Sequence, residues 1–190
     1  MDNTQPFMKK WTHSAQDMAL LSDEDSPAMS EKCLFLNIWT PSIAQTEQIP
    51  VMIWIHGGNF LTGGIRSELY NGGFLAAFSN VVVVTVQYRL GIFGIDLENK
   101  FHLGIDDQRA AISWINNNVH AFGGSRSRIT LFGSGVGAVS VLEMVRSPPD
   151  TPNGMFQQII LHSYEGAISL LKEQKAYAAL KRLIEDVSVI

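Results

Sequence analysis

Residues 129–141, with the sequence ITLFGSGVGAVSV, most constrain what this chain of 190 residues can fold into. A short apolar run ends in three glycines at alternate positions, Gly133, Gly135 and Gly137, and a segment of small and apolar residues follows them. This order predicts a β-strand, a tight turn and an α-helix. Such a turn directs backbone N–H groups to one place, where a negative charge can be bound.

Predicted strands and helices alternate along most of the chain. Apolar runs predict strands over 33–39, 51–55, 81–88, 129–132 and 156–161. Periodic or small-residue patterns predict helices over 72–78, 106–119, 136–144 and 171–187. The alternation indicates an α/β fold with a mostly parallel sheet and flanking helices. The polar residues 1–32 are expected to form a weakly ordered arm, followed by the α/β domain at 33–190.

Two of these elements allow more detailed predictions. The strand over 81–88 is apolar on both faces, which indicates a central strand covered on both sides. In the helix over 106–119, Asp106 is the expected N-cap. The residues expected to be buried on and just after this helix are Ala111, Ile112, Ile115, Val119 and Phe122.

The glycine turn has two interpretations. As G-x-S-x-G it is the nucleophile elbow of an α/β-hydrolase, with Gly135 at the position of the serine. As G-x-G-x-x-A, through Gly133, Gly135 and Ala138, it is a dinucleotide-binding turn, with Glu165 as the acid that would hold the ribose. A dinucleotide-binding fold places this turn after its first strand, whereas three predicted strands precede it here. The hydrolase interpretation is therefore favoured, and dinucleotide binding remains an alternative.

A second glycine loop supports the hydrolase interpretation. The sequence HGGNF, residues 56–60, follows an apolar strand and has the form of the loop that supplies oxyanion-hole amides in lipases and esterases. Glycine is needed in such a loop because the backbone must approach the substrate closely and adopt positive φ values.

Five segments in unbroken order resemble the carboxylesterase type B, or cholinesterase, family. They are EKCLFLNIWTP at 31–41, PVMIWIHGGNF at 50–60, VVVVTVQYRLGIFG at 81–94, LGIDDQRAAISWINNNVHAFGG at 103–124 and ITLFGSGVGAVSV at 129–141. The resemblance runs from about residue 31 to residue 163 and implies the N-terminal part of an α/β-hydrolase sheet. It also implies that the backbone N–H groups of Gly57, Gly58 and Val136 converge as an oxyanion hole.

The chain departs from this family at the catalytic positions. The family elbow reads G-E-S-A-G, whereas this chain has Gly135, without a side chain, at the nucleophile position. Ser134 lies one residue before the apex and Ser140 inside the following helix, so neither is expected to replace the serine. The family's acid and histidine come later than this sequence extends, and His162 follows the elbow too closely to be that histidine. The remaining histidines precede the elbow and are His13, His56, His102 and His120.

The leading hypothesis is a truncated, catalytically inactive family member with a binding or adhesion role. The sequence FGSG followed by a Gly-Ala pair resembles the neuroligins, which are cholinesterase-like adhesion proteins without the serine. The alternative within the family is one part of an active carboxylic ester hydrolase. We expect no cofactor and no metal ion. The strand over 156–161 is expected to lack a neighbour that it has in the family, which favours self-association through an exposed sheet edge.

Composition excludes several partners. The net charge is −4 with no basic block, so nucleic acid is not an expected partner. No apolar run is long enough to span a bilayer, and the first residues lack the apolar core of a signal peptide. Cys33 is the only cysteine and is expected to be a buried structural thiol. The chain as given therefore suits the cytoplasm, whereas a longer family member would be secreted or membrane-anchored.

Overall fold

The computed structural model describes residues 31–43, 48–94, 103–146 and 154–164. The predicted helix over 171–187, the candidate acid Glu165 and almost all of the predicted arm over 1–32 lie outside these ranges. Within them, each predicted strand and each of the other three predicted helices is present, with shifted ends.

Five strands form one mixed sheet in the order β1-β3-β2-β4-β5. They are β1 Leu36–Trp39, β2 Ile49–Ile55, β3 Val82–Val86, β4 Gly124–Ser134 and β5 Gln158–His162. β1 pairs antiparallel with β3, and the other three pairings are parallel. The prediction of an α/β fold with a mostly parallel sheet is confirmed.

In the part of the chain that the structure describes, three α-helices connect the strands of this sheet. They are α1 Gly73–Ser79, α2 Leu103–Asn118 and α3 Val136–Arg146. The N-cap prediction is wrong, because α2 begins three residues before Asp106. Asp106 lies in the first turn, where it accepts a hydrogen bond of 2.9 Å from Arg109. An acidic residue is also favoured in the first turn by the helix dipole, so the same sequence signal fits both positions.

The main hydrophobic core lies between one face of the sheet and the helices α2 and α3. β3 is buried along its whole length, as predicted for a central strand. Ile112, Ile115 and Val119 are fully buried, and Ala111 packs against the core partly buried. On the opposite face, α1 buries Ala76 against Val83 and the ring of Trp39. Packing on both faces of the sheet holds the carboxyl ends of β2 and β4, where the glycine loops begin.

An ion pair between the partly exposed Arg89 and the buried Asp107 connects the segment after β3 to helix α2. Asp107 is 8% exposed and accepts two hydrogen bonds of 2.7 Å, at Oδ2 from Nε and at Oδ1 from Nη2 of Arg89. The backbone N–H of Arg89 also donates to Asp107 Oδ2, at 3.1 Å. The neighbouring Asp106 makes only a half-exposed pair within its own helix.

We expect Asp107→Ala to lower the free energy of unfolding by about 2–3 kcal/mol, because it leaves the Arg89 guanidinium without its charge-assisted hydrogen bonds. The matched change Asp106→Ala is expected to cost no more than about 0.5 kcal/mol, because the Asp106 carboxylate is exposed and its partner lies three residues along the same helix. Urea unfolding followed by circular dichroism measures both values. Equal losses from the two variants would show that the Arg89–Asp107 pair contributes no more to stability than the Asp106–Arg109 pair.

Candidate active site: the glycine elbow

The predicted strand, turn and helix around Gly135 are present in the structure. β4 ends at Ser134, α3 begins at Val136, and Gly135 connects them with a φ of 57°. The N–H of Gly135 donates to the carbonyl oxygen of His162 at 2.9 Å, and its own carbonyl accepts from the N–H of Val139 at 3.1 Å. The chain therefore reverses from strand to helix within one residue, which is the form of a nucleophile elbow.

The three glycines of the turn have different surroundings. A Cβ atom placed on Gly135 would meet no atom within 4 Å. A Cβ on Gly133 would lie 2.6 Å from the carbonyl carbon of Gly137, and one on Gly137 would lie 2.6 Å from the carbonyl oxygen of His56. The outer glycines are thus required by contact between backbones. The apex has space for a side chain that this sequence does not supply.

The second glycine loop lies against this elbow. A Cβ on Gly57 would come within 2.7 Å of the carbonyl oxygen of Ser134, so the two backbones touch there. Gly58 has a φ of 111°, and its carbonyl accepts from the N–H groups of Leu61 and Thr62. The structure therefore brings both loops together at the carboxyl ends of β2 and β4. That the N–H groups of Gly57, Gly58 and Val136 converge on one bound oxygen stays a prediction.

The stacked, buried rings of His56 and Tyr88 hold the second glycine loop in position. His56 is fully buried, and its Nδ1 lies 2.8 Å from the carbonyl oxygen of Gly57. Because a carbonyl oxygen only accepts, Nδ1 carries the proton. The imidazole stacks on the ring of Tyr88 with centroids 4.3 Å apart, and the Tyr88 hydroxyl donates to the carbonyl oxygen of His56 at 2.7 Å. These contacts hold the first turn of the loop in place.

Burial determines the charge of both rings. It lowers the pKa of His56 to about 4, with the hydrogen bond to Gly57 opposing the shift. Burial also raises the pKa of the Tyr88 hydroxyl well above its ordinary value. Both side chains are neutral near pH 7, so His56 is a structural residue there and a poor base. The sequence predicted His56 only as part of the loop, and it gave no signal for the contact with Tyr88.

The remaining candidate residues occupy positions that fit structural roles. Ser140 is fully buried in α3 and its hydroxyl donates to the carbonyl oxygen of Val136 at 3.0 Å. Ser134 is half-buried as the last residue of β4. His162 ends β5 with an exposed side chain, and it contacts the elbow through its carbonyl oxygen. The predictions for Ser140 and His162 agree with these positions.

Among the described residues, no three His, Cys, Asp or Glu side chains form a group that could hold a metal ion. None of the helices there has both the length and the apolar composition that a bilayer crossing requires. Cys33 is buried and free, as predicted, and burial raises the pKa of its thiol.

Comparison with known proteins identifies the family of this fold. The sequence model of the Carboxylesterase family matches residues 4–189, nearly the whole chain. The chain belongs to the carboxylesterase family. Its mixed, mostly parallel sheet with flanking helices is accordingly part of an α/β-hydrolase fold.

Three relatives illustrate the range of this family. Para-nitrobenzyl esterase of Bacillus subtilis is 39% identical over 166 residues, which cover 84% of this chain and 33% of that protein. Acetylcholinesterase of Danio rerio is 41% identical over 140 residues, covering 71% and 22%. Cocaine esterase of Oryctolagus cuniculus is 45% identical over 154 residues, covering 78% and 28%. The chain thus spans between 22% and 33% of the length of these relatives.

Membership of the carboxylesterase family leaves the dinucleotide alternative without support. The turn through Gly133, Gly135 and Ala138 follows the fourth strand in chain order, whereas a dinucleotide-binding turn follows the first. Packing explains the glycines instead, because Gly133 and Gly137 lie where the backbones of the elbow and its neighbours touch.

Proposed function

We propose that this chain is a non-hydrolytic carboxylesterase-family protein that acts by binding a protein partner. The observation that carries the proposal is Gly135. It has the positive φ of an elbow apex and open space around it, but no side chain to project into that space. The sequence FGSG followed by Gly-Ala, which resembles the neuroligins, supports a binding role of the adhesion type.

Ester hydrolysis in this family requires an atom that can attack the substrate carbonyl. Removing the serine of a triad lowers kcat by roughly 10⁶, and an oxyanion hole with substrate binding retains about 10³–10⁴ over water. Neither nearby serine replaces the nucleophile, because Ser134 is a strand residue and the Ser140 hydroxyl is buried against Val136. Gly135 leaves the apex of the elbow without a nucleophilic side chain.

A second candidate function is that of one part of an active carboxylic ester hydrolase. The relatives named as esterases favour it, as does the retained shape of the elbow. This function would require a different nucleophile. His56 does not provide a base for it, because its imidazole is buried and its pKa is lowered to about 4.

The test compares the wild-type chain with Gly135→Ser in hydrolysis of para-nitrophenyl acetate and in labelling by a fluorophosphonate. We expect neither protein to be labelled or to hydrolyse the ester above the buffer rate. In Gly135→Ser the new hydroxyl has space, but the buried His56 of the neighbouring loop is a poor base for activating it. The Bacillus subtilis para-nitrobenzyl esterase is the positive control, and circular dichroism verifies that both chains are folded.

Labelling of the wild-type chain together with turnover would overturn the proposal. Ser134→Ala and Ser140→Ala would then identify the residue that carries the label. Activity in Gly135→Ser alone would leave the wild type non-hydrolytic, but it would show that a working base lies within this chain.

A further inference from the structure

We propose that the irregular start of β4 is a docking surface for an acidic segment of a protein partner, which binds to Arg126 and Arg128. This surface lies at the amino end of β4, whereas the elbow follows the carboxyl end of the same strand. The proposal rests on the proposed function in that both invoke a protein partner. Ester hydrolysis at the elbow would contradict that function but would leave the binding of an acidic segment here unaffected.

The start of β4 departs from its regular pairing with β2. On β2, only Pro50 separates the residue paired with Gly124 from the residue paired with Ile129. On β4, residues 125–128 separate the same two pairings, and they form a bulge. Bulges bend a strand and redirect its side chains. Because β4 is paired with β2 on one side and with β5 on the other, the bulge belongs to an inner strand of the sheet.

Both arginines of the bulge are exposed, and neutral oxygens hold their guanidinium groups in place. Arg126 Nη2 donates to the side-chain oxygens of Asn116 and Asn117, at 3.3 and 3.2 Å. Arg128 Nη2 donates to the carbonyl oxygen of Gln48. These contacts tie the bulge to the end of α2 and to the residue before β2. Each guanidinium group has five N–H donors, so most of them remain for a ligand.

The two positive charges of the bulge have no acidic partner among the described residues. The ion pairs in that part of the chain involve three other arginines and are Arg89–Asp107, Arg109–Asp106 and Arg146–Glu143. The dipole of α2 favours a cation at its end, but it carries only about half an elementary charge there. Guanidinium groups offer parallel N–H donors that match the two oxygens of a carboxylate. The ligand that complements this surface is therefore one that carries two carboxylates.

An extended acidic segment of a protein fits the surface better than other polyanions. Residues two positions apart on a strand are separated by about 7 Å, so two acidic residues with one residue between them match the spacing of the arginines along β4. Nucleic acid binds to broad basic surfaces, whereas this chain has a net charge of −4. Anionic membranes are recognised by clusters of roughly four to eight basic residues, and the bulge has fewer.

Fluorescence anisotropy of a labelled peptide in which glutamate alternates with alanine tests the proposal. We expect the wild-type chain to bind this peptide with a dissociation constant on the order of 100 µM at low salt, and added salt to weaken the binding. The double variant Arg126→Gln/Arg128→Gln is expected to bind at least about tenfold more weakly. Arg66→Gln/Arg146→Gln is the matched control, since it removes the same charge from exposed arginines elsewhere in the chain.

A conservative double variant separates binding from folding, because the arginines also tie the bulge to its neighbours. Arg126→Lys/Arg128→Lys keeps both charges but loses the parallel N–H donors. We expect its affinity for the glutamate peptide to lie between that of the wild type and that of the glutamine variant. Circular dichroism verifies that each variant is folded, and a peptide with lysine in place of glutamate is expected not to bind.

A wild-type chain that does not bind the glutamate peptide would overturn the proposal. If binding then appeared in Asp23→Asn/Glu24→Gln/Asp25→Asn, the occupant of the surface would be the chain's own acidic cluster. If the wild type instead bound phosphatidylserine vesicles, the surface would be a membrane contact. Equal affinities of the two glutamine double variants would also overturn the proposal, because the charges of the bulge would then contribute nothing to binding.

Discussion

Gly137→Ala is expected to lower the free energy of unfolding by about 3 kcal/mol, even though alanine is the better helix former. Gly137 lies in the first turn of α3, where the helix backbone touches the end of β2. An added Cβ would lie 2.6 Å from the carbonyl oxygen of His56 and 2.9 Å from its carbonyl carbon. Both are backbone atoms of a buried residue, so neither can move aside as the end of a flexible side chain can.

The matched control is Gly135→Ala, two residues earlier. Its Cβ would meet nothing within 4 Å, so only the positive φ of 57° opposes the change, at a cost of about 1 kcal/mol. Urea unfolding of the two variants measures the difference. A loss in Gly137→Ala no larger than that in Gly135→Ala would mean that the close approach of α3 to β2 is not needed for stability.

Stability is expected to fall as the pH is lowered from about 6.5 to about 4, because of His56. The folded-state pKa of His56 is lowered to about 4 from an ordinary value of 6.5. In that window the unfolded chain takes up a proton that the folded chain excludes, so each step to lower pH favours unfolding. The total loss from this residue is roughly 3 kcal/mol, and it is complete below the folded-state pKa.

Urea unfolding at several pH values between about 7 and about 5 measures how steeply the free energy of unfolding changes with pH, while most carboxylates stay ionised. This slope is compared between variants. His56→Phe keeps a ring to stack on Tyr88 but cannot titrate, so we expect a lower stability at pH 7 and a flatter profile. His120→Phe is the control, because it makes the same substitution at an exposed histidine. A slope that is the same in His56→Phe and in wild type would assign the pH dependence to other groups.

The order of strands and helices could be predicted from the sequence because apolar periodicity reflects burial directly. The ends of elements were less predictable. β4 begins at Gly124, five residues before its apolar run, because the chain there pairs with Ile49 although Arg126 and Arg128 are exposed. The early start of α2 before Asp106 has a similar origin, since its first residues lie close to the chain after β3.

The location of the candidate site could also be predicted, because both glycine loops follow parallel strands, whose carboxyl ends lie at the same end of a sheet. The roles of individual residues could not. Nothing in the local sequence distinguishes the packed Gly137 from the open Gly135, since that difference depends on a strand some eighty positions away. The stack of His56 on Tyr88 and the ion pair of Arg89 with Asp107 are likewise contacts between distant parts of the chain.

The positive φ at Gly135 also sets what any side chain at the apex of the turn would cost. Any residue with a Cβ holds that conformation at a cost of about 1 kcal/mol, whereas glycine adopts it freely. Serine at this position would therefore lower the stability of the turn by about the same amount. A side chain introduced at the apex would have to offset this cost through contacts of its own, and no atom lies within 4 Å of its Cβ to supply them.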